Sequence, residues 1–233
     1  MPTIQFLVKN QLAAATAGRV LVFLRPALAA EGMRAAAWQT LSPPPNGGSQ
    51  VFSFAGHLEA AATEDHDQGS RSARCAVFPG LALVARSRNA QGPELHPDPA
   101  GGPAGEACRV RNGDRRALRV TWYCDGRAIL QETVAPGGSA AFEPVKDLFL
   151  FQVREPSPDN LYPLDEVLAS SVEYRRPAPA CSIGVAWTAD GLSFSPASEG
   201  PATPEAQAPA TAPPVPEPSP ITPILKRKSG AKR

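Results

Sequence analysis

Residues 118–126 read Leu-Arg-Val-Thr-Trp-Tyr-Cys-Asp-Gly, and their pattern is the clearest indication of the fold class. Its apolar residues occupy every second position: Leu118, Val120, Trp122 and Cys124. In an extended chain, side chains at that spacing share one face. Asp125 and Gly126 then supply two residues that tolerate positive φ, as a two-residue hairpin turn requires. The stretch therefore predicts a half-buried strand that turns back on itself, with residues 128–134 as the returning strand.

The same signals recur on both sides of this hairpin. Alternation over residues 4–8 and 183–187 predicts two more half-buried strands, and an Asp-Gly pair follows the second. Residues 20–24 and 148–153 are apolar on both faces, which indicates central strands. Residues 50–54 resume extended structure after a turn-rich segment.

The segments between these predicted strands show weaker secondary-structure patterns. Residues 75–78 and 81–86 predict either neighbouring strands joined tightly or one strand with a kink. Helical patterns are confined to residues 164–168 and to Ala-rich patches near 12–15 and 27–37. Each of these is short enough to be a single turn.

The spacing of the predicted strands indicates the architecture. They recur about every ten residues with no long amphipathic segment between them, which favours an all-β class over βαβ units. We expect a single β-sandwich of short antiparallel strands over residues 2–195. Within it, residues 89–107 contain eight Gly or Pro in nineteen positions and no apolar period, so we expect a long exposed loop.

Composition changes abruptly at Ser195. Between Ser195 and Pro223, ten of 29 residues are Pro and none is aromatic. Such a segment cannot bury enough apolar surface to offset the entropy lost on ordering. We expect residues 196–233 to be a disordered tail with polyproline II character.

Charge is balanced over the whole chain but not along it. The 23 basic and 22 acidic residues give a formal net charge of +1, which argues against a general affinity for nucleic acids or membranes. Five basic residues lie in the last eight positions: Lys226, Arg227, Lys228, Lys232 and Arg233. Without them, 18 basic residues face 22 acidic ones, so the remainder carries −4. A basic tip on an acidic body indicates a tether to an anionic partner, and a purely solubilising tail is the alternative.

Two observations bear on the compartment. The sequence shows neither a basic start followed by an apolar run nor 18 consecutive apolar residues, so we expect no secretory signal and no transmembrane segment. This favours a cytoplasmic protein and leaves export by a non-classical route open. The cysteines follow no zinc or redox spacing, and we favour buried thiols over a disulfide or a metal cluster: Cys75, Cys108, Cys124 and Cys181.

One segment concentrates potential metal ligands. Six lie within eleven residues: His57, Glu59, Glu64, Asp65, His66 and Asp67. Two imidazoles and a carboxylate can hold zinc or iron. The spacing is not that of H-x-x-x-H on a helix, however, and the surrounding sequence is typical of a polar loop. We favour a solvated loop over a metal site.

No other motif predicts catalysis or a cofactor. Neither Ser49 nor Ser139 completes G-x-S-x-G, and the glycine-rich run 101–105 lacks the Lys-Ser/Thr of a P-loop. His96 falls in the predicted loop, where no scaffold would fix its imidazole. We expect no catalytic residue, no bound cofactor, no metal and no specific nucleic-acid motif.

Two further clusters admit a binding role. Five arginines could bind an anion, although a solvated strand face is favoured because acidic residues are interspersed: Arg109, Arg111, Arg115, Arg116 and Arg119. Four aromatic residues could stack on sugars if they were exposed: Trp38, Trp122, Tyr123 and Trp187. Trp122 and Trp187 continue apolar alternations, so we expect both in the core.

Several short elements carry a family resemblance. They are Phe6-Leu7-Val8-Lys9-Asn10, Ala37-Trp38, residues 48–54, Phe78-Pro79-Gly80 and Val134-Ala135-Pro136-Gly137. With these elements the chain resembles the rhizosphere-induced protein family of soil bacteria, also seen among uncharacterised fungal proteins. That family looks richer in Trp and Asn, and the Pro-rich tail has no counterpart in it. The resemblance implies a β-sandwich without a defined catalytic site and transfers no functional residue.

These observations favour a non-enzymatic binding module whose body or tail binds another macromolecule. The first alternative is a carbohydrate-binding or surface-interaction sandwich that uses exposed aromatic residues. A metal-dependent enzyme built on His57 and His66 is less favoured.

The uneven charge leads to a test of the tail. We expect affinity for polyanions to reside in its five basic residues, so a chain ending at Leu225 should lose binding to a labelled single-stranded oligonucleotide. At about 0.7 per phosphate neutralised, five charges give a slope of log affinity against log salt no steeper than about −3.5. Fluorescence anisotropy of the full and truncated chains measures both quantities. Undiminished binding by the truncated chain would move the site to the arginines at 109–119.

Overall fold

The computed structural model describes residues 3–14, 16–65, 70–87, 92–102, 105–176 and 182–196. Over these ranges the protein is all-β, as the sequence predicts, with eighteen strands and one short helix, α1 (Leu164–Ser170). The helix includes the predicted turn at 164–168. None of the described residues in the two Ala-rich patches is helical, and β3 (Arg34–Ala36) occupies the end of the second patch.

The strands form four sheets, which we name A to D. Sheet A orders β18 (Gly191–Pro196), β17 (Ser182–Thr188), β1 (Ile4–Asn10) and β5 (Ser49–Phe54). Sheet B orders β16 (Val172–Arg175), β14 (Pro144–Arg154), β2 (Arg19–Pro26) and β4 (Gln39–Leu41). Sheet C orders β15 (Leu161–Pro163), β3, β12 (Arg127–Val134), β11 (Leu118–Cys124), β6 (Leu58–Glu64) and β7 (Cys75–Val77). Sheet D orders β13 (Ser139–Phe142), β10 (Cys108–Asn112), β8 (Ala82–Ser87) and β9 (Pro93–Pro97).

The predicted central hairpin is confirmed. Strands β11 and β12 pair antiparallel, and the turn between them has φ of 49° at Asp125 and 77° at Gly126. Two positive φ values match the right-handed twist of the flanking strands. The predicted central strands β2 and β14 pair with each other, and β17 and β18 form the second Asp-Gly hairpin.

Two strand pairs differ from the expected antiparallel pattern. Strand β1 pairs parallel to β17, with Phe6 opposite Ile183 and Val8 opposite Val185, and β8 pairs parallel to β10. Alternation fixes which face of a strand is buried, but it fixes neither the partner nor the direction.

Two predicted local features are wrong. Strands β7 and β8 are neither neighbours nor one kinked strand, because β7 lies in sheet C and β8 in sheet D. A tight turn joins them, in which the Leu81 N–H donates to the Phe78 carbonyl over 3.0 Å. The segment expected to be an exposed loop, residues 89–107, contains β9, which pairs with β8 and is followed by the buried Asp98.

Aromatic side chains connect the sheets into one core. The Phe6 ring of sheet A packs edge-on against Phe149 of sheet B, with centroids 4.9 Å apart. Trp122 of sheet C packs against Phe142 of sheet D, with centroids 5.6 Å apart. Because both pairs are buried, each sheet loses apolar burial if its partner is removed.

The segment expected to be a tail, residues 196–233, lies outside the described residues except for Pro196. In the part of the chain that is described, no helix is long and apolar enough to cross a membrane.

The burial of Trp122 leads to a graded stability test. Its side chain is 1% exposed, and its indole N–H has no hydrogen-bond partner. Trp122→Ala should lower the free energy of unfolding by about 3–5 kcal/mol through lost burial and a cavity. Trp122→Phe should lower the free energy of unfolding by a smaller amount, because it also removes an unpaired buried donor. Urea unfolding measures both free energies, and Val51→Ala, at an exposed position, is the control. Equal stability of Trp122→Ala and the parent protein would contradict the assignment of Trp122 to the core.

Candidate functional site

A cavity of about 750 Å³ opens where strand ends of all four sheets meet. Ile4 begins β1 and Phe54 ends β5, while Leu58 begins β6 and Cys124 ends β11. Leu24 of β2 and Cys108 of β10 contribute from sheets B and D. The inner wall is therefore apolar and is assembled from residues far apart in the sequence.

Trp38 holds one side of this wall in place. Its indole N–H donates to the Cys124 carbonyl over 3.0 Å, which satisfies a donor that is only 1% exposed. The Trp38 ring packs perpendicular to Phe54 with centroids 5.4 Å apart. Phe54 in turn packs perpendicular to Phe149, at 5.2 Å. The aromatic wall is thus fixed from behind.

Asp125 holds the adjoining segment. Its carboxylate accepts backbone N–H groups from Ala55 at 3.0 Å, Gly56 at 3.2 Å and His57 at 2.9 Å. Gly56 has a φ of 79°, a conformation that other residue types rarely adopt. The turn of the β11–β12 hairpin therefore positions three cavity-lining residues.

Polar groups are confined to the mouth. The side chain of His57 is 84% exposed and lies 3.4 Å from the Asp125 carboxylate. The Arg176 guanidinium donates to the Asp147 carboxylate through Nε over 3.0 Å. Arg74, which does not line the cavity, lies 3.7 Å from Glu59, which does.

One aromatic ring at the mouth faces solvent. Phe78, in the turn after β7, lines the cavity and is 61% exposed. A ring of that size is costly to leave in water unless something covers it.

Two thiols belong to the wall. Burial raises the pKa of Cys108 to about 11, and the neighbouring Glu106 carboxylate adds to the rise. Burial and the Asp125 carboxylate raise the pKa of Cys124 as well. Both thiols hold their protons at neutral pH, so they act as small apolar groups rather than as nucleophiles. Cys75, Cys108 and Cys124 are free thiols. Cys108 and Cys124 are buried, as predicted, whereas Cys75 is only half-buried, and Cys181 lies outside the described residues.

The potential metal ligands at residues 57–67 do not converge in the part of this segment that the structure describes. His57 contacts Asp125, Glu59 contacts Arg74, and the Arg119 guanidinium donates to Asp65 over 2.7 Å. Glu64 accepts the Ser70 N–H, and His66 and Asp67 lie outside the described residues. Among the residues that the structure describes, no three His, Cys, Asp or Glu side chains form a metal-binding group.

The expectation that His96 lacks a scaffold is wrong, because it lies in β9, with its Nε2 3.1 Å from the Glu94 carboxylate. The arginines from 109 to 119 do not share one face. Arg109 and Arg111 lie on β10 beside Asp98, and Arg119 lies on β11 of another sheet.

The three tryptophans are all buried, so the structure confirms Trp122 and Trp187 as core residues. None of these three indole rings is exposed for stacking on a sugar. The five basic residues predicted to contact a partner lie outside the described residues: Lys226, Arg227, Lys228, Lys232 and Arg233. A second, more open groove of about 620 Å³ lies between Met33 and Leu164.

Sequence analysis missed the cavity itself. Residues 52 and 54 gave only an extended pattern, and Cys108 fell in no motif. No local signal identifies such a site, because its walls come from separate sheets.

Comparison with known proteins finds no matching family model, no similar curated protein and no similar solved structure. The resemblance to the rhizosphere-induced proteins therefore stays a prediction.

Asp98 yields a pH-dependent prediction. Hydrogen bonds from Arg111, through Nε and Nη2 at 2.8 Å each, hold the pKa of Asp98 at about 2, below its usual 3.8, although burial opposes this. Folding lowers the pKa of Asp98, so the ionised Asp98 paired with Arg111 stabilises the folded state. This stabilisation is complete above about pH 3.8 and is lost as the pH falls towards about 2. Asp98→Asn should therefore unfold at a lower temperature than the parent protein at pH 7, and the difference should vanish near pH 2. Calorimetry between pH 2 and 7 measures this, and a difference that persisted at pH 2 would contradict the assignment.

Proposed function

We propose that this protein is a non-enzymatic binding module and that the cavity at the meeting point of its four sheets takes a small apolar ligand. The observation that carries the proposal is the cavity's combination of size and lining. Its volume of about 750 Å³ falls within the roughly 300–1,000 Å³ typical of small-molecule sites. Apolar walls with polar groups at the mouth are also typical of such sites.

The rigidity of the walls supports binding. Trp38 and Asp125 fix the wall through hydrogen bonds within the protein itself. A preformed site loses little conformational entropy when it is filled.

The chemistry of the lining also supports binding rather than catalysis. The wall thiols of Cys108 and Cys124 stay protonated, which removes the most reactive nucleophile available there. Asp147 and Glu59 at the mouth each contact an arginine.

We further propose that the described strands form a single sandwich and that residues 196–233 are a disordered tail. The Phe6–Phe149 and Trp122–Phe142 contacts between sheets support the first point. The proline content after Ser195 supports the second. Binding of an anionic polymer by the basic end of the tail is a separate proposal that rests on the charge pattern alone.

A neutral fluorescent probe tests the cavity. N-phenyl-1-naphthylamine should bind the full chain with increased emission, because its rings leave water for an apolar wall. Phe78→Ala should weaken that binding about five- to tenfold, since a ligand at the mouth covers part of this ring. Because the Phe78 ring is mostly exposed, the melting temperature should change little.

The matched control is Val51→Ala. Val51 is also 61% exposed but lies on β5 outside the cavity lining, so its loss should leave probe affinity unchanged. Absence of probe binding, or equal losses in the two variants, would contradict the proposal.

A further inference from the structure

One edge of sheet A is open and carries no charge. In the described part of the chain, strand β5 pairs only with β1, so its other side is a sheet edge. Its sequence, Ser-Gln-Val-Phe-Ser-Phe, contains neither a charged residue nor Pro. The longer segment of residues 35–56 contains no Lys, Arg, Asp or Glu at all. An edge strand of this kind can accept another strand, because nothing in its sequence opposes pairing.

The hydrogen bonds between β1 and β5 show which backbone groups reach the open edge. The Asn10 N–H donates to the Gly48 carbonyl over 2.9 Å, and the register continues this pairing along β5. Bonded and non-bonded pairs alternate along an antiparallel ladder, so the even-numbered residues of β5 bond to β1. The N–H and C=O groups of Ser49, Val51 and Ser53 therefore point away from β1. Within the described ranges, none of these groups forms a backbone hydrogen bond elsewhere.

The other seven edge strands of the described chain are short, charged or contain Pro. Strands β4, β7 and β15 have three residues each, and β13 has four. Strand β16 contains Glu173 and Arg175, β9 begins and ends with Pro, and β18 ends with Pro196. Such features protect sheet edges against pairing with another chain. Strand β5 has six residues and none of this protection.

The exposed side chains of β5 fit a second copy of the same strand. Phe52 is buried in the core, so by alternation Ser49, Val51 and Ser53 share the opposite face, where all three are exposed. Val51, at the centre, is 61% exposed. In an antiparallel pair about a two-fold axis at Val51, the two Val51 side chains are neighbours and each Ser49 lies opposite a Ser53. Both Val51 side chains then leave water, and no like charges meet.

We propose that β5 is a self-association edge, at which two copies of the chain pair antiparallel about Val51 and join their A sheets into one continuous sheet. The three free N–H groups of each copy donate to carbonyls of the other, so every outward backbone group of Ser49, Val51 and Ser53 gains a partner. None of these residues lines the cavity, so the pairing does not depend on the proposed ligand site.

The dimer is weak because the paired surface is small. A strand of six residues is about 20 Å long, and the pairing of two such strands alone buries less than the roughly 1,200–2,000 Å² of a stable interface. The chain is therefore a monomer in dilute solution and dimerises as its concentration rises. In the dilute monomer Val51 is exposed, so Val51→Ala remains a suitable control for dilute unfolding and probe measurements.

Sedimentation velocity of the full chain between about 1 µM and about 1 mM measures the self-association. The species should grow from monomer to dimer and no further, because a two-fold pairing uses the edge of both copies. Val51→Lys should weaken the dimer at least about tenfold, because two ammonium groups then lie opposite each other. The matched control is Val172→Lys, which adds the same charge on another edge strand, β16, where Val172 is 44% exposed. It should dimerise like the parent protein.

Charge complementation tests the register of the pairing. Val51→Lys and Val51→Glu should each self-associate weakly, whereas their equimolar mixture should dimerise at least as tightly as the parent protein, because opposite charges then meet at the axis. Circular dichroism verifies that both variants are folded, as expected for an exposed position.

Several results would overturn the proposal. They are a full chain that stays monomeric at the highest concentration, a Val172→Lys loss as large as that of Val51→Lys, and a mixture that associates no better than its components. Growth beyond the dimer would also overturn it, because it would indicate head-to-tail pairing of β5 with β18 of the next copy.

Discussion

The hydrogen bond from the Trp38 indole to the Cys124 carbonyl is the contact on which the arrangement of the sheets depends. Trp38 lies between β3 of sheet C and β4 of sheet B, and its ring packs against Phe52 and Phe54 of sheet A. The acceptor is the last residue of the central strand of sheet C. A buried indole without an acceptor would cost about 1–3 kcal/mol, so this ring has a defined position. One side chain thus holds the ends of three sheets together.

The cavity is a consequence of that arrangement. Strands of four sheets end at the same place, and the side chains at their ends are apolar because they belong to the rim of one continuous core. Asp125 fixes the position of residues 55–57 in this rim, because its carboxylate accepts hydrogen bonds from their three backbone N–H groups. The carboxylate that belongs to a hairpin turn therefore also shapes the candidate site. Fixed walls, protonated thiols and charges at the mouth together favour recognition of a ligand over its chemical transformation.

Local patterns predicted much of the secondary structure, because alternation and Asp-Gly pairs act within a few residues. The β11–β12 hairpin, the buried faces of β1 and β17 and the central strands β2 and β14 all follow from such patterns. The parallel pairing of β1 with β17 does not, because the choice of partner depends on which core face it completes. Strand β9 was missed because its prolines and polar residues resemble a loop, whereas pairing with β8 and the buried Asp98 stabilise it.

The candidate site was beyond prediction from the sequence for a related reason. The N–H groups bound by Asp125 lie 68 to 70 positions earlier, and the cavity lining comes from all four sheets. The alternation did predict that Trp122 and Trp187 are buried, so their rings are not exposed for stacking on a sugar. What sequence reasoning lacked was the three-dimensional arrangement of strand ends.

The central claim is that these strand ends form an apolar ligand site. A crystal structure of the full chain grown with bromo-octanol tests it most directly, because the anomalous signal of bromine marks the apolar end of the molecule. The account predicts bromine within about 4 Å of Phe54, Leu58 or Cys108, which is van der Waals contact. Bromine in the groove between Met33 and Leu164 instead, or a cavity filled by the protein's own side chains, would contradict it.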